Sequence, residues 1–137
     1  MADQRLDLTP LERAIDRLSE GLARYQKDTS DTQIRDGLIQ RFEFTYEISH
    51  KMLKRYLESV SPTPQQYDEM AFGDLIRSGN ERGLLLGSWT DWKRYRDMRS
   101  RTSHTYDETV ALEVIAGIVP FLQEASHLRD QLVSRVA

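Results

Sequence analysis

The sequence predicts an all-α protein: an antiparallel up-and-down bundle of about five helices, forming a single domain over residues 1–137 and associating as a dimer. Three observations predict it. Apolar residues recur every three or four positions along most of the chain, and the alternation that marks strands is missing. Helix-start signatures, each a capping residue followed by an acid or a proline, punctuate the chain. The longest segment carries apolar residues on two faces, the pattern of a helix packed on its own domain and on a second subunit.

Thr9-Pro10-Leu11-Glu12 opens the first helix, with Thr9 as cap, Pro10 at the first helical position and Glu12 closing a capping box. Leu11, Ile15, Leu18, Leu22 and Tyr25 form its stripe, which ends near Gln26. The polar break Lys27-Asp28-Thr29-Ser30-Asp31 offers Ser30 or Asp31 as the cap of a long second helix reaching Val60. Its stripe is Ile34, Leu38, Phe42, Thr45, Ser49, Met52 and Tyr56, and the small residues at mid-stripe predict close approach of a neighbour. Phe44, Tyr46, Ile48, Leu53 and Leu57 supply the second apolar surface. Ser61-Pro62-Thr63-Pro64 stops this helix, because proline cannot continue it. A third helix is expected over Gln66–Leu84, with Met70, Phe72, Leu75 and Ile76 inward and a break near Gly79-Asn80. Gly83 and Gly87 bracket the connector Leu84-Leu85-Leu86. Ser88-Trp89-Thr90-Asp91 caps the fourth helix, whose core face is read as Trp89, Trp92, Tyr95 and Met98. It ends at Thr102-Ser103, whose side chains compete for backbone hydrogen bonds. Asp107 caps the fifth, with Ala111, Ile115, Ile118, Leu122, Ala125, Leu128 and Leu132 inward and Pro120 as a kink.

A chain of 137 residues folds without a metal or a disulfide. It has no cysteine, which excludes disulfide scaffolds, thiolate zinc sites and cysteine nucleophiles. With 39% hydrophobic and 30% charged residues the surface is wet, and no run reads as a bilayer span. Met1-Ala2-Asp3-Gln4-Arg5 lacks the basic-then-apolar order of a secretion signal, so a cytoplasmic protein without membrane partners is expected. His50 and His127 have no partner at metal spacing, so neither a metal nor another cofactor is expected. Ser100 and Ser103 lack the setting of a nucleophilic triad. Glu43, Glu47 and Lys51 are four apart and read as exposed ion pairs within one helix, with a dimer cleft as the alternative location of the two acids.

The net charge of −3 argues against bulk nucleic-acid binding, which runs on phosphate neutralisation. A local basic site remains: Lys93, Arg94, Arg96, Arg99 and Arg101 crowd together against Asp97 alone. After it comes Arg99-Ser100-Arg101-Thr102-Ser103-His104-Thr105-Tyr106. Arginine holds phosphate by planar, charge-assisted hydrogen bonds, and histidine moves protons near neutral pH. Together they suffice for RNA cleavage, because the ribose 2′-hydroxyl is itself the nucleophile. On an unbroken helix, positions five apart differ by about 140° around the axis. Arg99 and His104 therefore converge only if the helix ends between them, or if two copies meet across a dyad.

Tyr95-Arg96-Asp97-Met98-Arg99-Ser100-Arg101-Thr102-Ser103-His104-Thr105-Tyr106-Asp107 resembles the signature of the HEPN superfamily, in the branch of nucleotidyltransferase substrate-binding proteins. Arg41-Phe42-Glu43-Phe44-Thr45-Tyr46-Glu47 and Phe72-Gly73-Asp74-Leu75-Ile76-Arg77 resemble other motifs of the same branch. The similarity runs from about Leu8 to Leu132. It implies a dimeric helical bundle with Arg99 and His104 as the Arg-x4-6-His ribonuclease motif, supported by Arg96, Ser100, Arg101 and Ser103 toward RNA. It implies a toxin cleaving RNA without metal, and a minimal nucleotidyltransferase (MNT) as antitoxin. In related pairs that partner attaches AMP to the tyrosine of Arg-x4-His-x-Tyr, here Tyr106, and the added phosphates would keep an RNA phosphate away from His104. Ser100 departs from the asparagine common after the arginine; it stays polar but reaches less far and has no amide donors. The alternative is a non-catalytic subunit that presents substrate or nucleotide to a nucleotidyltransferase. A third reading is a structural dimer with a decayed site.

Overall fold

The computed structural model describes residues 6–136, and all regular structure among them is helical. Five α-helices follow one another: α1 (Thr9–Lys27), α2 (Thr32–Val60), α3 (Phe72–Glu81), α4 (Trp89–Arg101) and α5 (Glu108–Val136). Two 3-10 turns, Pro64–Tyr67 and Thr102–His104, lie before α3 and after α4.

Local chemistry sets most boundaries. Asp31 caps α2 by accepting from the backbone N–H of Gln33 (3.0 Å) and Ile34 (3.1 Å). Asp107 does the same for α5 through Thr109 (2.9 Å) and Val110 (3.3 Å). Asp91 accepts from Ser88 N–H at 3.1 Å, forming the capping box expected for α4. At α1 the expectation is off by one residue, since Leu8 takes the N-cap position. Thr9 is already helical, and Asp7 accepts its N–H at 3.0 Å.

The helix expected over Gln66–Leu84 is divided. Pro64–Tyr67 is a 3-10 turn, the chain is extended at Ala71, and α3 starts only at Phe72. Tyr67 explains the division: it turns back into the core, and its hydroxyl lies 3.1 Å from Ser78 Oγ. Gly79 lies inside α3 against Leu53 and Leu85 rather than ending it. The stop is Gly83, at φ +72°, where Leu84 N–H reaches Gly79 O and Gly83 N–H reaches Asn80 O, both at 3.0 Å.

One hydrophobic core draws residues from all five helices. Its centre is aromatic, with Phe42 and Phe121 edge to face at 4.9 Å and Tyr95 against Phe121 at 5.3 Å. Trp92 is fully buried beside them. Thr45 and Ser49 are buried at mid-stripe on α2 as the sequence implies, and Thr45 Oγ lies 3.2 Å from Ala14 O on α1. On α5 the stripe is broader than expected: Val114 and Phe121 are buried, while Ile115 and Leu122 are only partly covered. The helix continues through Pro120. Contrary to the expectation that no run is apolar enough, α5 meets the length and composition of a bilayer span, but Ala111, Ile118, Ala125, Leu128 and Leu132 are committed to this core.

Two contacts position the ends of α4 and α5. A Cβ at Gly117 would collide with the Met98 thioether, so the Met98 side chain of α4 rests directly on the α5 backbone. Glu124 of α5 is only 1% exposed and accepts the N–H groups of Leu86 (2.7 Å) and Gly87 (2.6 Å), holding down the connector that leads into α4.

Candidate active site

The basic run lies on α4 from Lys93 onward, and the helix ends with it at Arg101. Thr102 Oγ donates to Arg99 O (2.9 Å) and Ser100 Oγ donates to Asp97 O (2.7 Å), the local side-chain competition that loosens a helix. The chain then tightens into the turn Thr102–His104. The α-helix thus gives way to a 3-10 turn between Arg99 and His104, with right-handed helical backbone kept at Arg101, Thr102 and Thr105.

Arg99 is anchored on α2. Its Nε donates to Glu47 Oε1 at 2.9 Å and its Nη2 engages the same oxygen, while Glu43 Oε1 lies 3.5 Å from Nη2. These acids are therefore not the helix-internal pairs with Lys51 that their spacing suggests; they face α4. The hydrogen bond that Arg99 donates to Glu47 raises the Arg99 pKa further, so the guanidinium is permanently charged. Beyond the turn, Arg35 of α2 is buried and pairs with Glu108 at the start of α5, at 2.8 Å. The segment between α4 and α5 is thus tied to α2 on both sides. Between the ties, His104 is exposed, its ring 6.1 Å from that of Tyr106, and Tyr106 is 87% exposed. Among the described residues no hydrogen bond joins Arg99 to His104.

The supporting residues divide between two faces. Arg101 pairs with Glu113 of α5, beside an open groove of about 820 Å³ between α4 and α5 that Lys93, Arg94 and Ser100 also line. Ser103 is exposed. Arg96 lies on the other face, its guanidinium carbon 5.3 Å from the centre of the Phe72 ring. No group of three or more metal-binding side chains occurs among the described residues.

The sequence passes over two features of this neighbourhood. The first is the carboxylate pair on Arg99, carried by Glu43 and Glu47 one helical turn apart on α2. The second is His50, set aside for lack of a metal partner. It is half-buried, edge to face with Phe72 at 5.0 Å. Burial lowers its pKa from 6.5, and Lys54 and Arg96 add to the shift. A base with a depressed folded pKa contributes stability that is complete above the unfolded value and lost as pH falls through the folded one. Urea unfolding midpoints are therefore expected to fall on acidification below about pH 6.5, and a His50→Gln variant is expected to show a flatter profile.

Comparison with known proteins identifies the family. Residues 6–134 match the family described as nucleotidyltransferase substrate binding protein like. A Haemophilus influenzae protein named probable ribonuclease HepT is 44% identical over 99 residues, covering 72% of this chain and 67% of that one. A solved Haemophilus influenzae structure, described as the fold of a substrate binding domain of a nucleotidyltransferase, superposes with a TM-score of 0.86 at 36% identity. That superposition covers 92% of this chain and 98% of the other. The chain belongs to the nucleotidyltransferase substrate binding protein like family, the branch of the HEPN superfamily that its helix-ending Arg99-to-Tyr106 segment resembles.

Proposed function

We propose that this chain is a metal-independent endoribonuclease, the toxin of a toxin–antitoxin pair. It works as a homodimer through Arg99 and His104 and is neutralised by a partner nucleotidyltransferase that adds AMP to Tyr106. The observation that carries the reading is the end of α4 between Arg99 and His104, which leaves a charged arginine and an exposed histidine on one short segment. The name of the HepT relative supports the same activity.

The reaction follows from the residues. A neutral imidazole of His104 takes the proton of the ribose 2′-hydroxyl. The 2′-oxygen attacks the adjacent phosphorus, and the bond from phosphorus to the 5′-oxygen breaks. That oxygen takes a proton from an imidazolium, which in a two-fold dimer is supplied by the second copy's histidine. The products are a 2′,3′-cyclic phosphate and a 5′-hydroxyl. Arg99 neutralises charge on the phosphorane. Glu47 fixes the Nε–Nη2 edge of its guanidinium, leaving Nη1 to meet a phosphate oxygen. AMP on Tyr106 brings a negative charge beside His104 and obstructs the approach of RNA.

The test is RNA cleavage by chain made without a partner, in excess EDTA, with intact mass confirming that AMP is absent. Wild type is expected to leave cyclic-phosphate ends, and Arg99→Ala to be slower by about 10²–10³-fold. The description of the solved relative as a substrate binding domain supports the alternative of a non-catalytic subunit. Nucleotide binding by the complex, with no cleavage by the unmodified free chain, would establish that alternative.

A further inference from the structure

Trp89 opens α4 and remains 38% exposed, whereas Trp92, one turn on, is fully buried. Its ring meets Phe72, the first residue of α3, edge to face at 5.6 Å. Phe72 in turn meets His50 at 5.0 Å and carries the Arg96 guanidinium at 5.3 Å. Arg96 is exposed, and among the described residues it makes no ion pair. Three aromatic rings and a cation without a carboxylate partner thus share one surface, between α3 and the face of α4 that leads to Arg99.

Spacing aligns this surface with the site. Trp89 and Arg96 are seven residues apart, which puts them on one side of α4 about 10 Å from each other, with Arg99 about 5 Å further along the axis. Packing alone leaves the combination unexplained. An indole that only covered Phe72 would need no free surface, and a cation held over a ring for stability alone is a small contribution at an exposed position. A single-stranded nucleic acid uses all of it: an unpaired base offers a π-face to an exposed aromatic ring, and the adjoining phosphate meets an arginine.

We propose that Trp89, backed by Phe72 and His50, is a stacking subsite for an unpaired RNA base, and that Arg96 holds the phosphate between that base and the bond cut at Arg99 and His104. The inference rests on the ribonuclease reading and narrows its substrate to RNA that is single-stranded beside the scissile bond. Every base has a π-face, so the subsite selects strandedness rather than sequence.

The experiment titrates the full chain with a short 2′-O-methyl RNA, single-stranded or annealed to its complement. The blocked 2′-oxygen cannot attack, so binding is read without cleavage, and failure here is distinct from failure of the ribonuclease reading. Trp92 is buried, so a change in wild-type indole emission reports Trp89, while the affinities of all three proteins are read from the anisotropy of a fluorophore on the RNA. The single strand is expected to quench emission, Trp89→Ala to weaken its binding about tenfold, and Trp89→Phe to recover most of the loss. Duplex binding is expected to be the same in all three proteins. Wild-type affinity in a folded Trp89→Ala variant, equal quenching by the duplex, or no binding by wild type would each overturn the proposal.

Discussion

Replacing His104 with alanine is expected to lower the initial rate of RNA cleavage by about 10²–10⁴-fold, the usual contribution of a positioned proton-transfer group. The same substitution is expected to shift stability by no more than about 0.5 kcal/mol, as at most surface positions away from caps and buried networks. His104 is exposed, and among the described residues its one aromatic neighbour is Tyr106 at 6.1 Å, so the fold asks little of its side chain. Initial rates beside urea unfolding of the same preparations make the check. A folded His104→Ala protein cleaving at the wild-type rate would remove His104 from the mechanism and take the ribonuclease assignment of this segment with it.

The largest effect on stability is expected at a residue far from that chemistry. Glu124→Ala removes the acceptor of two backbone N–H groups, those of Leu86 and Gly87, in a connector whose carboxylate partner is almost wholly buried. A hydrogen bond to a charged group contributes about 1.5–3 kcal/mol, and losing two of them puts the expected loss near 3–5 kcal/mol in urea unfolding. Burial raises the Glu124 pKa, while the two N–H groups pull against that shift. With a folded value above the unfolded one, the protein gives up stability as pH rises through the folded value. Glu124→Gln, which keeps a carbonyl acceptor and does not titrate, is expected to lose less and to lack that slope. Equal stability of wild type and Glu124→Ala would mean that the connector is not held by this carboxylate.

The caps of α2, α4 and α5 were legible because they are local: Asp31, Asp91 and Asp107 each bond a backbone group within three residues. What the sequence concealed depends on distant partners. Glu43 and Glu47 sit at helix ion-pair spacing, and nothing nearby in the chain shows that they meet Arg99, 52 positions beyond Glu47. Glu124 stands between Phe121 and Ala125 on the buried side of α5, so an acid on an apolar face was the available signal. Trp89 was misread for a geometric reason. Steps of three residues drift by about 60° each around a helix, so Trp89 ends up opposite Met98 and cannot share its core face. The division of α3 followed from Tyr67 turning inward, which no periodicity announces.

The bare backbone at Gly117 bears on the site in another way. Met98 precedes Arg99, and α5 begins four residues after His104, so the seat of Met98 on Gly117 fixes the span across which the turn is hung. It works as a gauge block of zero thickness. One added methyl drives the Met98 thioether from its seat and makes that side chain repack, while leaving Arg99, His104 and Tyr106 in the sequence. A lineage can keep Arg99, His104 and Tyr106 and still change how they are presented, by drift at a position that has no chemistry of its own.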